Sequence, residues 1–132
     1  MRILALDHGA ARCGCAVSDP SGTLASPLSA IERPDTRKGV ARLVALAEEL
    51  EAELVVVGLP LTPAGKEGEQ AKQARDFAVR LGARLDIPVE LYDERLTTRM
   101  AEANRGQSDV DSRAAAHLLE GFLAAREAGA RP

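Results

Sequence analysis

Apolar positions change their spacing several times along the chain, and each change marks an element. Residues Ile3–Leu6 form a short apolar run and Cys13–Ser18 another, punctuated by Gly9 and Gly14. This pattern predicts two strands joined by a tight turn. Asp19-Pro20-Ser21-Gly22 is a turn sequence. Leu24–Ile31 is predicted as a third strand, in which Pro27 calls for an edge or a bulge. The first quarter therefore reads as an antiparallel meander. Val40, Leu43, Val44, Leu46, Ala47 and Leu50 then recur at helical spacing, with Thr36 placed to cap that helix. Leu54–Val57 is wholly apolar and β-branched, closed by Gly58-Leu59-Pro60, as a buried parallel strand would be. Leu61–Glu69, with Pro63, Gly65 and Gly68, reads as a mobile loop. Gln70–Leu85 is predicted helical, with Ala74, Phe77, Ala78 and Leu81 on one face. Val89–Tyr92 is a further strand, Thr97–Ala103 a short helix and Asp111–Ala125 a final one, with Ala114, Ala115, Leu118, Leu119 and Phe122 inward.

The predicted order is β-β-β-α-β-α-β-α-α, with no linker composition, repeat or low-complexity segment. The later strands are expected to be parallel, with helices on both faces. The expectation is one α/β domain over residues 1–132, built on a mixed five-stranded sheet: three antiparallel strands, then two parallel.

Composition narrows the function. The chain has 132 residues and 45% apolar positions, enough for a core without staples. No apolar run approaches the ~20 residues that cross a bilayer. The start, Met1 to Asp7, meets a charge too early for a signal peptide, so a cytoplasmic protein is expected. Cys13 and Cys15, two apart on one predicted strand, share a face and are poorly placed for a disulfide. The net charge of −3 argues against a protein that coats nucleic acid nonspecifically. With Phe77, Tyr92 and Phe122 as its only aromatics, the chain lacks the platforms that stack single-stranded bases.

Three acids stand where chemistry could be done. Asp7 ends an apolar strand, at the sheet edge where open α/β folds place their sites, and Gly9 permits close approach. Asp93-Glu94-Arg95-Leu96-Thr97-Thr98 follows another strand and offers a carboxylate, a guanidinium and two hydroxyls that could hold a metal and a phosphate together. Asp111 opens the last helix, close to Asp109. Each has an ordinary alternative: a turn aspartate for Asp7, a helix cap for Asp93 or Thr97, a macrodipole partner for Asp111. Together they suit phosphodiester hydrolysis, in which two divalent ions about 3.5–4 Å apart activate a water and stabilise the leaving oxygen. Mg²⁺ prefers such oxygen donors. Lys66, in the glycine-bearing loop, suits phosphate contact. His8 could touch the site, whereas His117 reads as a solvated helix residue. A P-loop motif is absent, and no Ser/His/Asp or Cys/His arrangement can be argued.

Four segments, in order, resemble one family. Asp7-His8-Gly9-Ala10-Ala11-Arg12-Cys13-Gly14-Cys15-Ala16-Val17-Ser18-Asp19 is similar to its D-x-G-x-K-R-x-G-x-A-x-S-D. Val57-Gly58-Leu59-Pro60-Leu61 resembles its V-G-L-P-L, Asp93 to Thr98 its D-E-R-L-T-T, and Val110-Asp111-Ser112-Arg113-Ala114-Ala115 its I/V-D-x-x-A-A. The family is YqgF/RuvX, Holliday junction resolvases with a ribonuclease-H-like fold. The resemblance implies that Asp7, Glu94 and Asp111 are metal-binding catalytic acids and that Arg12 and Arg95 are phosphate contacts. It implies cleavage of four-way DNA junctions or of the 16S rRNA precursor, leaving 5′-phosphate and 3′-hydroxyl ends. The chain departs from the pattern at Ala11, where the family has lysine, and at Cys13 and Cys15, where it has larger aliphatics. It departs again at Asn104–Asp109, a shorter connection with Arg105 as its only basic residue.

The leading expectation is thus an Mg²⁺- or Mn²⁺-dependent endonuclease. Asp7, Glu94 and Asp111 would bind the ions, and Arg12, Arg95, Lys66, Thr97 and Thr98 would hold substrate. A junction's approximate two-fold symmetry would suit a homodimer; cutting one RNA strand needs none. Two alternatives remain at this point: a non-catalytic nucleic-acid-binding factor in ribosome maturation or transcription, and a nucleotide-hydrolysing relative of the actin-like ATPases, which clasp nucleotide between two such domains.

Overall fold

A computed structural model describes residues 1–93 and 110–130, with side chains over 1–93 and 112–127. Strands β1 (Ile3–Asp7), β2 (Arg12–Ser18) and β3 (Ala25–Glu32) form the expected antiparallel meander. Helix α1 (Arg37–Glu49), strand β4 (Leu54–Leu59), helix α2 (Glu69–Gly82), strand β5 (Val89–Asp93) and helix α3 (Val110–Ala130) follow. The sheet order is β3-β2-β1-β4-β5, with β4 parallel to β1 and β5 parallel to β4. The mixed five-stranded α/β architecture is the one the pattern predicts. The predicted helix at 97–103 lies outside the described residues.

Period-two alternation sends each strand's side chains into two separate cores. Leu4, Leu6, Cys13, Cys15, Val55 and Val57 pack under α1 and α2 with Val40, Leu43, Phe77 and Leu81. Ile3, Ala5, Ala16, Leu54 and Val56 pack under α3 with Ala115, Leu118, Leu119 and Phe122. Strand β4 serves both, so all six of its residues are buried. Its unbroken apolar run is the consequence of being covered on both sides.

Local signals act where the sequence places them. Thr36 caps α1, its Oγ1 accepting from the Gly39 N–H at 3.0 Å. Asp19 closes its turn by accepting from the N–H groups of Thr23 and Leu24 at 2.7 and 3.0 Å. Pro27 satisfies both of its expected settings. It lies on the edge strand β3, beside an irregularity where Cys13 pairs with Ile31 and Cys15 with Leu28. The segment read as a mobile loop is instead closed on itself. Leu61 bridges Glu67, the Thr62 N–H donates to the Lys66 carbonyl, and Arg75 grips Glu67 at 2.6 Å. The composition of a loop does not reveal a partner such as Arg75, which lies eight residues on in α2. Among the described residues, no helix is long and apolar enough to cross a membrane.

Candidate active site

Asp7 is the last residue of β1, the central strand, and is half-buried at the carboxyl edge of the sheet. It shares the alternation of Ile3 and Ala5, so it lies on the α3 face. Its cross-strand partner on β2 is Gly14. On the other side, Leu6 pairs with Val57, so the next position on β4 is Gly58, itself paired with Tyr92 on β5. Along this row the carboxylate is therefore flanked by two residues without side chains. A glycine inside a strand weakens the strand and leaves room beside it. Here neither neighbouring strand places a side chain beside Asp7 in this row. Sequence reasoning treated Gly14 as punctuation and Gly58 as the end of a strand. Their position inside apolar runs was the available signal.

The turn joining Asp7 to β2 is equally constrained. A Cβ on Gly9 would stand 2.8 Å from the backbone oxygen of Arg12, so the turn closes only with glycine there. Arg12 is exposed and opens β2 at the same edge.

Helix α3 delivers its first turn to this edge. The Ser112 hydroxyl is buried and accepts from the Cys15 N–H at 3.4 Å. Cys15 is the neighbour of Gly14, so this contact fixes the start of α3 one residue from Asp7's partner. Asp111, the second residue of α3, precedes that anchor directly. Farther along, the Tyr92 hydroxyl donates to the Gly121 carbonyl at 3.3 Å, and its ring meets Phe122 edge-on at 5.6 Å. These contacts tie α3 to β5 as well as to β2. Strand β5 ends at Asp93. Glu94, Arg95, Thr97 and Thr98 follow in the sequence and lie outside the described residues. Lys66 is exposed on the closed 61–67 turn.

His8 takes the opposite face. Its ring is 3% exposed, lies 4.7 Å from the ring of Phe77, and its Nε2 meets both carboxylate oxygens of Asp35 at 2.9 Å. Asp35 is also approached by Arg80, at 3.6 Å. The histidine beside Asp7 is thus committed elsewhere, and among the described residues no group of three or more acids, histidines or cysteines is placed to hold a metal ion. His117 is not the solvated residue its polarity suggests. It is 13% exposed, with Nδ1 2.9 Å from Glu120, because its helix position faces the packed side. Cys13 and Cys15 are both buried, and neither forms a disulfide. Cys13 is held well above the usual thiol range by hydrogen bonding with Cys15, by burial, and by the negative charges of Asp7 and Asp35.

Residues 1–125 match the profile of the family described as RuvX, Holliday junction resolvase. A Chloroflexus aurantiacus protein provisionally named a pre-16S rRNA nuclease is 41% identical over 133 residues, covering 94% of this chain and 87% of that protein. A Mycobacterium tuberculosis protein of the same name is 42% identical over 132 residues, covering 92% and 78%. Among solved structures, Thermus thermophilus RuvC matches with a TM-score of 0.66 at 16% identity, covering 100% of this chain and 99% of that one. The fowlpox virus Holliday junction resolvase matches with 0.55 at 12% identity, covering 95% and 99%. At such identities these structures speak for the fold, a RuvC-like ribonuclease-H fold.

Proposed function

The chain belongs to the RuvX family of Holliday junction resolvases, and from that premise we propose that it is a divalent-metal-dependent endonuclease acting on structured nucleic acid. The observation that carries the reading is Asp7, half-buried at the carboxyl edge of the central strand between Gly14 and Gly58, with the start of α3 pinned beside it.

The donors suit Mg²⁺ or Mn²⁺. They are carboxylate oxygens, the nearby histidine is turned away to Asp35, and the flanking Gly14 and Gly58 place no side chain beside Asp7. Asp7, Glu94 and Asp111 would hold a pair of ions. Ions bound there supply an activated water and stabilise the leaving oxygen. The protein's own part is to place the carboxylates and grip the substrate. Asp7 is fixed by its place in the ladder and by the Gly9 turn. Arg12, exposed at the same edge, would hold a phosphate, with Arg95, Lys66 and the hydroxyls of Thr97 and Thr98 as further contacts.

Two substrates follow from the relatives. The curated ones bear a name that refers to the 16S rRNA precursor, and a structural neighbour is RuvC in complex with a Holliday junction. The deciding experiment offers the purified protein, with Mn²⁺, a four-way junction and a pre-16S fragment, with Asp7→Asn as control. The wild type is expected to cut at least one of them, leaving 5′-phosphate and 3′-hydroxyl ends. Asp7→Asn is expected to fold normally and not cut. Full activity in Asp7→Asn would refute the site. Tight binding by the wild type without metal-dependent cleavage would identify a binding factor instead of an enzyme. Symmetric cutting of the junction would call for two copies, which sedimentation of the complex would count.

A further inference from the structure

The chain leaving β4 is fastened at every step. Beyond Leu59 it doubles back on itself: Leu61 bridges Glu67, the Thr62 N–H donates to the Lys66 carbonyl at 2.9 Å, and the Lys66 N–H donates to Thr62 Oγ1 at 3.1 Å. The Gly65 N–H donates to the Thr62 carbonyl at 2.8 Å and closes the tip. Arg75 then ties the turn to α2 through two bonds, Nε to Glu67 Oε1 at 2.6 Å and Nη2 to Oε2 at 2.8 Å. A guanidinium and a carboxylate joined twice fix direction as well as distance. The two side chains are 48% and 37% exposed. An ion pair in that setting contributes little stability, so its larger effect is on the placement of the turn.

What the turn carries is Lys66. Neighbouring residues of an extended pair point to opposite sides. Glu67 is turned to α2, so Lys66 is turned away from it. Thr62, whose Oγ1 meets the Lys66 N–H, lies on that same side, and a Cβ on Gly68 would stand 3.9 Å from its methyl group. Helix α2 covers the Leu4 and Leu6 face of the sheet, and Asp7 lies on the other face. Lys66 is thus turned toward the side on which Asp7 lies. It is also near. Gly58 is level with Asp7 on the adjacent strand, and Leu61 follows shortly after it. Leu61 is therefore within about 12 Å of Asp7, roughly the rise of three or four nucleotides. Lys66 is exposed, and among the described residues its ammonium enters no ion pair. The acid beside it, Glu67, is neutralised by Arg75. The next acid, Glu69, stands in the first turn of α2, where the helix dipole offsets it.

We infer that the 61–67 turn is a rigid arm that sets Lys66 against a backbone phosphate a few nucleotides from the bond at Asp7, with Glu67 and Arg75 as its positioning residues. The choice of ligand rests on the nuclease reading. A backbone contact is favoured over a base contact because the tip, Pro63-Ala64-Gly65, carries neither a ring to stack nor an amide or guanidinium to read a base edge. Arg12 flanks Asp7 from β2, and the arm flanks it from the end of β4. The two cations bracket the carboxylate along the sheet edge.

Anisotropy of a labelled four-way junction, and of a labelled pre-16S fragment, is measured in EDTA across a salt series, so that binding is read apart from cleavage. The proteins are the wild type, Lys66→Ala, Glu67→Ala, the Lys66→Ala/Glu67→Ala double variant and the Glu67→Arg/Arg75→Glu swap. Lys66→Ala should flatten the salt slope by about 0.9 on duplex or about 0.7 on a single strand, and weaken binding about three- to eightfold at roughly 0.1 M salt. Glu67→Ala discriminates. It makes the protein more positive, which by general attraction alone would tighten binding. A positioning role predicts the reverse: binding about two- to fivefold weaker, a shallower slope, and no further loss once Lys66 is alanine. The swap restores the pair and should bind within about twofold of the wild type. All the variants should melt within about 4 °C of the wild type, because the pair is exposed. An unchanged slope in Lys66→Ala, unchanged or tighter binding in Glu67→Ala, or losses that add in the double variant would overturn the inference. A wild type that binds neither probe would overturn it too. The expected binding results without cleavage when Mn²⁺ is supplied would sink the enzymatic reading and leave the arm standing. Asp7-dependent cleavage with binding indifferent to Lys66 and Glu67 would do the opposite.

Discussion

Replacing Gly39 with alanine should destabilise the protein, although alanine is the better helix former by about 1 kcal/mol. Gly39 is buried in the first turn of α1. A Cβ there would overlap the Arg33 carbonyl oxygen and stand 2.8 Å from the Cα of Pro34 and 2.9 Å from the Arg33 carbonyl carbon. All of these are backbone atoms, so no side-chain rotation relieves the clash. Arg33 is itself held by its hydrogen bond to Ala11. The helix must therefore lift off the 33–34 segment, at a cost near or above the ~3 kcal/mol upper range for overpacking. Net of propensity, the loss is about 2 kcal/mol. For 132 residues the unfolding entropy is about 0.28 kcal/mol/K, so Tm should fall by roughly 7 °C. Gly82, the last residue of α2, is the control: its added Cβ would meet Val89 at 3.6 Å, an ordinary contact. Gly82→Ala should gain about 0.5–1 kcal/mol, raising Tm by roughly 2–4 °C. Calorimetry on both variants checks the pair. A Gly39→Ala protein as stable as the wild type would refute the claim that α1 closes onto the Arg33–Pro34 backbone.

Other expectations follow from the same packing. Ser112→Ala removes the acceptor for the buried Cys15 N–H and should cost about 1–2 kcal/mol in denaturant unfolding; it should also reduce cleavage, because the start of α3 loses its anchor. Cys13 and Cys15 should resist a thiol reagent at pH 8 in the native protein and both react in denaturant, since burial and the raised Cys13 pKa keep the reactive thiolate scarce; rapid native labelling would contradict this. Asp19 is lowered to about 2 by hydrogen bonds from Ser21, Leu24 and Thr23. Its contribution is therefore full above the unfolded-state value near 4 and is lost as pH falls through about 2. A carboxyl NMR titration should place its midpoint there, with amide protection at Thr23 and Leu24 fading over the same range.

Much of the candidate site was legible, but unevenly. Asp7 could be found because a charged residue ending an apolar strand is a local anomaly. The family motifs marked Glu94 and Asp111 as candidates in the same local way, but Glu94 and the Asp111 side chain lie outside the described residues. Gly14 and Gly58 were harder to read, because their importance depends on being neighbours of Asp7 on two different strands. The closed 61–67 turn went unseen because Arg75, which holds it, belongs to the next helix. His8 and Asp7 are adjacent in the chain, yet one faces Asp35 and Phe77 and the other faces α3.

The amino-acid order alone determined the elements, their sequence and the mixed sheet, since hydrophobic period, turn residues and the Thr36 cap act within a few residues of themselves. Register, and hence the identity of each residue's neighbours, was decided only in three dimensions. The Ser112–Cys15 contact spans 97 residues and the His8–Asp35 contact 27. Such pairs form because two cores pack on opposite faces of one sheet, and a shift of one residue in any strand would exchange those faces.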